Sequence, residues 1–350
     1  MIEREPFRVR LAEPIHTAHG TIREREGFLV SVHYDGHYGV GEAAPLPGWT
    51  ESYEECRQAL DRAEAIAGEL DWGMALAKID APAARHALSL AFVESRARKQ
   101  DLPVYQSLGG ERQVESVPVN ATVGAGTSPA QTAHRARELV AEGFRTLKLK
   151  VGTNGLEDDV ERVRSVRDAV GDDIGIRVDA NGSWTLEQAK QVVEALGALG
   201  VEYVEQPLPK ADLDGHAQLR EATGTEQRER GVEIALDESL LAYTVDDVIQ
   251  TDAADVAVLK PMVLGGPDRT LEAARRFQEA GIDPVLSTTF DAVVARTGAV
   301  HVAASIPQVR SCGLATASVL ETDLASDPAP VRNGQITVPQ SSGLGLPERL

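Results

Sequence analysis

Five short stretches of this 350-residue chain hold residue types that do chemistry together. They are Lys148-Leu149-Lys150, Asp179-Ala180-Asn181, Glu205-Gln206-Pro207, Asp237-Glu238-Ser239 and Lys260-Pro261. Each closes a short β-branched run, so each falls at the carboxyl end of an expected strand. A strand buried on both faces accepts a charge only at high cost unless the charge is paired. Three converging carboxylates need a cation, and an oxygen-only ligand set favours Mg²⁺ over zinc or copper. Any one of these acids could be a salt-bridged strand-end residue of an acidic protein, but three at successive strand ends are poorly explained that way.

The lysines make a separate point. The chain has only seven lysines against 28 arginines, and three of the seven (148, 150, 260) stand at these strand ends. Arginine keeps its proton at any working pH, whereas lysine can lose one when its pKa is pulled down. Lys148 and Lys150 are two apart on a strand and share a face, and like-charge neighbours depress a lysine pKa, which suits Lys150 as a base. The bland alternative for all three is a salt bridge to the carboxylates. A divalent cation with a lysine on either side is suited to removing a proton beside a carboxylate and stabilising the enolate. Lysine bases paired with Mg²⁺ are the known arrangement of the enolase superfamily.

These groups need a scaffold that brings successive strand ends together. From Val117 onward, β-branched runs begin near residues 117, 145, 175, 201, 233, 255, 282 and 308, at intervals of 22 to 32 residues. Amphipathic stretches such as Pro129–Glu142 and Leu186–Leu199 fill the gaps. Strand and helix alternating at this period predict parallel βαβ units, and eight strands predict a closed barrel, with catalytic groups at the carboxyl ends. An open dinucleotide-binding sheet is disfavoured, because Val123-Gly124-Ala125-Gly126 lacks the third glycine. Before the barrel, strand-like alternation at Phe28–His33, a turn at Tyr34-Asp35-Gly36-His37, and helical stretches over Ser52–Leu70 and Pro82–Lys99 predict a small α+β domain. The expected division is therefore 1–112 for that domain, 113–320 for the barrel, and 321–350 for a Pro-, Gly- and Ser-rich tail returning to the first domain.

Composition narrows the partners. Apolar residues at 42% and charged residues at 25% are ordinary globular values. The net charge of −19 disfavours nucleic acid and anionic membrane as partners. Acidic excess with scarce lysine suits a salt-rich cytoplasm, although an ordinary acidic cytosolic enzyme would also fit. No apolar run approaches the roughly 20 residues of a membrane span, and the charged first residues do not form a signal peptide, so a cytoplasmic location is expected. Cys56 and Cys312 make no metal-ligand spacing. A homo-oligomer is compatible with the sequence.

The ordered set of five motifs resembles the muconate-lactonizing branch of the enolase superfamily over nearly the whole chain. The resemblance implies an N-terminal α+β capping domain over a (β/α)₇β TIM-like barrel. It also implies Asp179, Glu205 and Asp237 as Mg²⁺ ligands, with Lys150 and Lys260 on opposite faces of a small carboxylate substrate. Lys148 would touch the substrate carboxylate and lower the pKa of its neighbour, while Asn181 and Glu238 would orient ligands. Gly41-Glu42-Ala43-Ala44-Pro45-Leu46-Pro47-Gly48-Trp49 and Ser311-Cys312-Gly313-Leu314-Ala315-Thr316 are similar to the o-succinylbenzoate synthases within that branch. That likeness implies Mg²⁺-dependent dehydration of 2-succinyl-6-hydroxy-2,4-cyclohexadiene-1-carboxylate to o-succinylbenzoate in menaquinone biosynthesis. Lys150 would act as the base and Lys260 would remain a cation.

Two positions depart from that pattern. The family often has an acid where Ala315 stands, and Ser-Ser followed by Glu-Ser where this chain has Ser287-Thr288-Thr289-Phe290-Asp291-Ala292. Ser287 and Thr288 are candidate hydroxyl contacts to a substrate carboxylate. The alternative function is an N-succinyl amino acid racemase or dipeptide epimerase with the same metal and lysine pair; a cycloisomerase and a non-catalytic binding barrel are weaker. Loops near residues 17–27 and 45–53 belong to the capping domain, and cap loops of the family resemble lids.

Overall fold

The computed structural model describes residues 2–17, 20–34, 36–69, 72–125, 128–224 and 231–347. An antiparallel meander opens the chain: β1 (Ile2–Thr17), β2 (Gly20–Tyr34) and β3 (His37–Ala43). Strand therefore occupies most of the stretch expected to be a loop near 17–27; residues 18 and 19, like Asp35 of the expected turn, lie outside the described residues. Helices α1 (Tyr53–Glu69), α2 (Trp72–Lys78), α3 (Pro82–Gln100) and α4 (Val104–Ser107) follow. The meander packs on α3 at unusually short range because both surfaces are small. Gly39 and Gly41 alternate along β3 toward Ala91 and Ala87 of α3. A Cβ on Gly41 would stand 1.8 Å from the Ala87 carbonyl oxygen, and one on Gly39 2.0 Å from that of Ala91.

The barrel strands are β5 (Ala121–Val123), β6 (Thr146–Lys150), β7 (Gly175–Asp179), β8 (Val201–Glu205), β9 (Glu233–Leu236), β10 (Val256–Leu259) and β11 (Asp283–Leu286), parallel and hydrogen-bonded in that order. Between them lie α5 (Pro129–Ala141), α6 (Leu156–Val170), α7 (Leu186–Ala198), α8 (Leu213–Thr223), α9 (Val245–Thr251), α10 (Pro261–Leu264) and α11 (Pro267–Glu279), with α12 (Val293–Ser305) after β11. Leu147, Leu149, Ile176, Val178, Val204, Ile234, Leu236 and Leu259 from these strands are fully buried in one cluster with helix residues such as Val163, Val166 and Val192.

Two β-branched runs end up differently from their expected roles. The run near Val117 splits. Its first part, β4 (Ser116–Pro118), pairs with the C-terminal hairpin β12 (Val331–Arg332) and β13 (Gln335–Thr337), and the barrel begins only at Ala121. Pro118 has no N–H to offer a barrel neighbour. The eighth strand, expected near Gln308, is reduced to single bridges, Val119 with Cys312 and Ser287 with Gly313. Those bridges still close the ring: Cys312 N–H donates to Pro118 (2.8 Å) on one side and Gly313 N–H to Leu286 (2.8 Å) on the other. The tail then reaches α3, where Leu344 N–H donates to Glu94 and Arg98 to the Leu346 carbonyl.

Candidate active site

Parallel strands put their carboxyl ends on one rim, and register sets which side chains meet there. Lys150 is paired with Asp179, and Asp179 with Glu205, across three adjacent strands. Alternation turns Lys148 and Lys150 to the same side, away from Leu147 and Leu149. Lys148 Nζ donates to Glu205 Oε1 (2.9 Å) and Oε2 (3.1 Å) and lies 3.0 Å from Asp179 Oδ2. Lys150 Nζ donates to Asp179 Oδ2 (2.7 Å) and to Asn181 Oδ1 (2.8 Å); Asn181 in turn donates to Glu238 Oε1 (2.9 Å). Lys260, immediately after β10, donates to both oxygens of Asp237 at 2.5 Å. Strands β6 and β10 are four places apart in a ring of eight, so Lys150 and Lys260 rise from opposite sides of the barrel mouth. Ser287 and Thr288 follow β11 on the same rim. Their hydroxyls pair with the Gly313 carbonyl (3.4 Å) and the Thr316 hydroxyl (3.2 Å), with no hydrogen bond to the carboxylates or lysines.

Asp179, Glu205 and Asp237 are each at most 5% exposed. Burial alone would raise all three pKa values, and the lysines decide the differences. At Asp179 the charges and hydrogen bonds of Lys148 and Lys150 outweigh burial and hold the carboxyl well below the usual range. Glu205 is pushed up by burial and by the charge of Asp179, and Asp237 by burial against the pull of Lys260. Burial pulls Lys148 down, but Asp179 and Glu205 more than reverse it, so this ammonium keeps its proton strongly. Among the described residues no three acidic, histidine or cysteine side chains form a ready-made metal cage, because each carboxylate is turned onto an ammonium. The donor set nevertheless fits a hard divalent cation: three buried carboxylates on neighbouring strand ends, beside Glu238, whose Oε2 is buried without a partner.

Further functional groups come from places that strand-end spacing does not mark. The Trp49 ring covers Lys260, with Nζ 3.6 Å from its centroid. Trp49 closes the Gly41–Trp49 motif, but nothing in the sequence places it over a lysine. Gln206 is fully buried at positive φ; its Oε1 accepts from the N–H of Asp237 and of Ser239 at 3.0 Å, which fixes the turn carrying Asp237. Glu42 of β3 accepts the Ala292 (2.8 Å) and Ala295 (2.9 Å) N–H groups at the start of α12, which has no cap of its own. The capping strand thereby satisfies a barrel helix and holds the segment after Ser287 and Thr288.

Residues 131–347 match the family of enolase C-terminal domain-like proteins. The chain belongs to the enolase superfamily, in its muconate-lactonizing and epimerase branch. Residues 6–95 match the MenC N-terminal domain. The hydrophobic dipeptide epimerase of Enterococcus faecalis is 31% identical, over 97% of this chain and 96% of its own. The structure of the dipeptide epimerase from that organism, with Mg and L-Leu-L-Tyr, superposes with a TM-score of 0.87 at 29% identity, covering 98% of each chain. The N-succinyl-L-Arg/Lys racemase of Bacillus cereus is 29% identical over 85% of this chain and 82% of its own. The o-succinylbenzoate synthase of Thermobifida fusca is 38% identical, but over 61% of this chain and 64% of its own. This superfamily member is thus an enzyme with a metal-binding active site. No helix among the described residues is long and apolar enough to cross a membrane.

Proposed function

We propose that Asp179, Glu205 and Asp237 hold Mg²⁺, and that Lys150 and Lys260 exchange protons with opposite faces of the carbon beside a substrate carboxylate. The observation that carries this is the placement of the two ammonium groups, one on each side of the barrel mouth with the carboxylates between them. Bound Mg²⁺ supplies positive charge to the substrate carboxylate as the α-proton leaves. Lys148, kept cationic by two buried acids, holds that carboxylate in place. Lys150 takes the proton, with its Nζ aimed by Asp179 and Asn181. Lys260 delivers a proton from the other face, and the product is the epimer. This reading makes the chain an N-succinyl amino acid racemase or dipeptide epimerase, as the relatives matched over most of their length support.

A second reading, dehydration to o-succinylbenzoate, has specific support in the MenC-type N-terminal match, the 38% identity to the Thermobifida enzyme, and the Trp49 ring over Lys260. An aromatic face favours a cation that stays charged, so Lys260 would stabilise the enolate while Lys150 first takes the ring proton and then protonates the departing hydroxide.

One experiment separates the readings. Both antipodes of an N-succinyl amino acid, a dipeptide and the cyclohexadiene precursor are offered in D₂O with Mg²⁺, and in parallel with chelator. α-Deuterium uptake with inversion, abolished by chelator, is the outcome for the epimerase. Ultraviolet growth of o-succinylbenzoate without uptake into amino acids selects the dehydratase. Inactivity of a folded, Mg²⁺-loaded protein on all of them refutes both.

A further inference from the structure

Outside the barrel mouth, the most completely buried ion pair among the described residues is Arg162 with Asp159, both on α6 and each 1% exposed. Such a pair is costly to bury and stabilises the fold little unless its remaining hydrogen-bonding groups are used. Here they are used on the chain segment around Lys150. Arg162 Nη1 donates to the Lys150 carbonyl (2.9 Å) and Nη2 to the Gly124 carbonyl just past β5 (2.8 Å). Its Nε donates to Thr132 Oγ1 (3.3 Å), and Asp159 Oδ2 accepts the Gly152 N–H at 2.6 Å. The chain turns sharply at this point: Gly152 has φ +86°, and a Cβ there would meet Ser183 Oγ at 1.9 Å. The Lys150 carbonyl therefore leaves the sheet where the turn begins, and the guanidinium takes the place of the missing strand partner.

The loop that follows Lys260 is held by different residues. Arg85 of α3 donates to the Gly265 carbonyl (2.5 Å) and to both oxygens of Asp268, which also accepts from Ser89. The backbone at Lys150 is thus tied to a barrel helix, and the loop after Lys260 to the capping helix.

The geometry points to Arg162 and Asp159 as positioning residues for Lys150 alone, fixing the backbone from which its amine reaches the substrate. This inference rests on the two-face reading above. The test is Arg162→Met, with Arg162→Lys and Asp159→Asn beside it so that a folded variant is in hand. Deuterium exchange is measured from each antipode of an N-succinyl amino acid separately, since each antipode presents its α-proton to a different lysine. Exchange at the Lys150 face is expected to fall by at least about tenfold, and at the Lys260 face to stay within about twofold, with partial recovery in Arg162→Lys. Equal slowing at both faces, or none at either, overturns the inference. A second measurement needs no turnover: reductive methylation of the metal-free protein, read by peptide mass spectrometry as Lys150 against Lys260. The variants should raise that ratio several-fold, and an unchanged ratio overturns the positioning role. If the wild type exchanges neither antipode, the two-face reading fails, while the methylation ratio still decides the role of Arg162.

Discussion

Replacing Lys148 by methionine exposes what the metal-free site depends on. Lys148 supplies both of the ammonium hydrogen bonds that Glu205 receives, and it shares Asp179 with Lys150. After the substitution Asp179 keeps a cation, whereas Glu205, 2% exposed, is left without an ammonium partner. At an effective dielectric constant near 20, one ion pair at ~3 Å is worth roughly 5 kcal/mol, and removing one partner of a buried pair typically costs about 3–5 kcal/mol. Glu205 is already pushed toward its neutral form, so proton uptake limits the loss, and about 3 kcal/mol is expected near pH 8. For a chain of this size unfolding as one unit, that corresponds to a fall in Tm of about 4 °C. Mg²⁺ supplies the missing positive charge, so the deficit should be present with chelator and largely vanish in millimolar MgCl₂. The variant should also bind Mg²⁺ more tightly than the wild type while losing turnover. Thermal unfolding with chelator and with Mg²⁺, together with calorimetric titration of Mg²⁺, makes the comparison. An equal loss of Tm in both conditions would refute the reasoning, because the lysine would then be acting by packing and not by charge.

Three further outcomes are expected. Trp49→Leu removes the ring over Lys260, worth about 1–2 kcal/mol, and should slow exchange at the Lys260 face by about tenfold while Trp49→Phe retains most of it; equal rates in all three proteins discount the ring. Burial, and then the charge of Asp291, push the Glu42 carboxyl up to about 8; the folded state therefore holds the extra proton, and stability is lost as pH rises from about 4.5 to 8, by at most about 1.4 kcal/mol per pH unit. The Tm of the wild type should accordingly decline over that range relative to Glu42→Gln, and a constant offset between the two would contradict the assignment. Gly41→Ala should cost about 2–3 kcal/mol by forcing β3 off α3, whereas Gly68→Ala, with open space around its Cβ on α1, should be neutral or stabilising by up to about 1 kcal/mol in the same denaturant titration.

The strand-end motifs were legible because a parallel barrel converts sequence order into spatial order: Lys150, Asp179 and Glu205 become neighbours simply by ending successive strands. Sequence order misleads where the chain carries a strand-like run without a strand's partners. Val117 is as β-branched as any barrel residue, yet it pairs with Ile336 in the C-terminal hairpin, and the Arg310–Gly313 stretch closes the ring with only two bridges. Arg162, Glu42 and Trp49 were invisible as functional groups for another reason. Each acts on a main-chain atom or side chain that only tertiary packing brings near, from 12 residues away for Arg162 and Lys150 to 250 for Glu42 and Ala292. An arginine on an amphipathic helix looks the same whether it faces water or a carbonyl.

The Glu42 crossing bears on how such proteins can be recombined. A carboxylate from the third strand completes the start of a helix some 250 residues later, so part of the last barrel helix is supplied by the first domain. Exchanging capping domains between relatives, to move one enzyme's substrate preference onto another's barrel, is therefore a transplant across a shared hydrogen-bonding joint. A donor cap lacking an acid at this position would leave the Ala292 and Ala295 N–H groups without acceptors and loosen the rim segment next to them. Chimeras that keep β3 together with the recipient's α12 should fold where cuts between the two do not, and a natural lineage that shuffled caps would have had to carry both halves of the joint together.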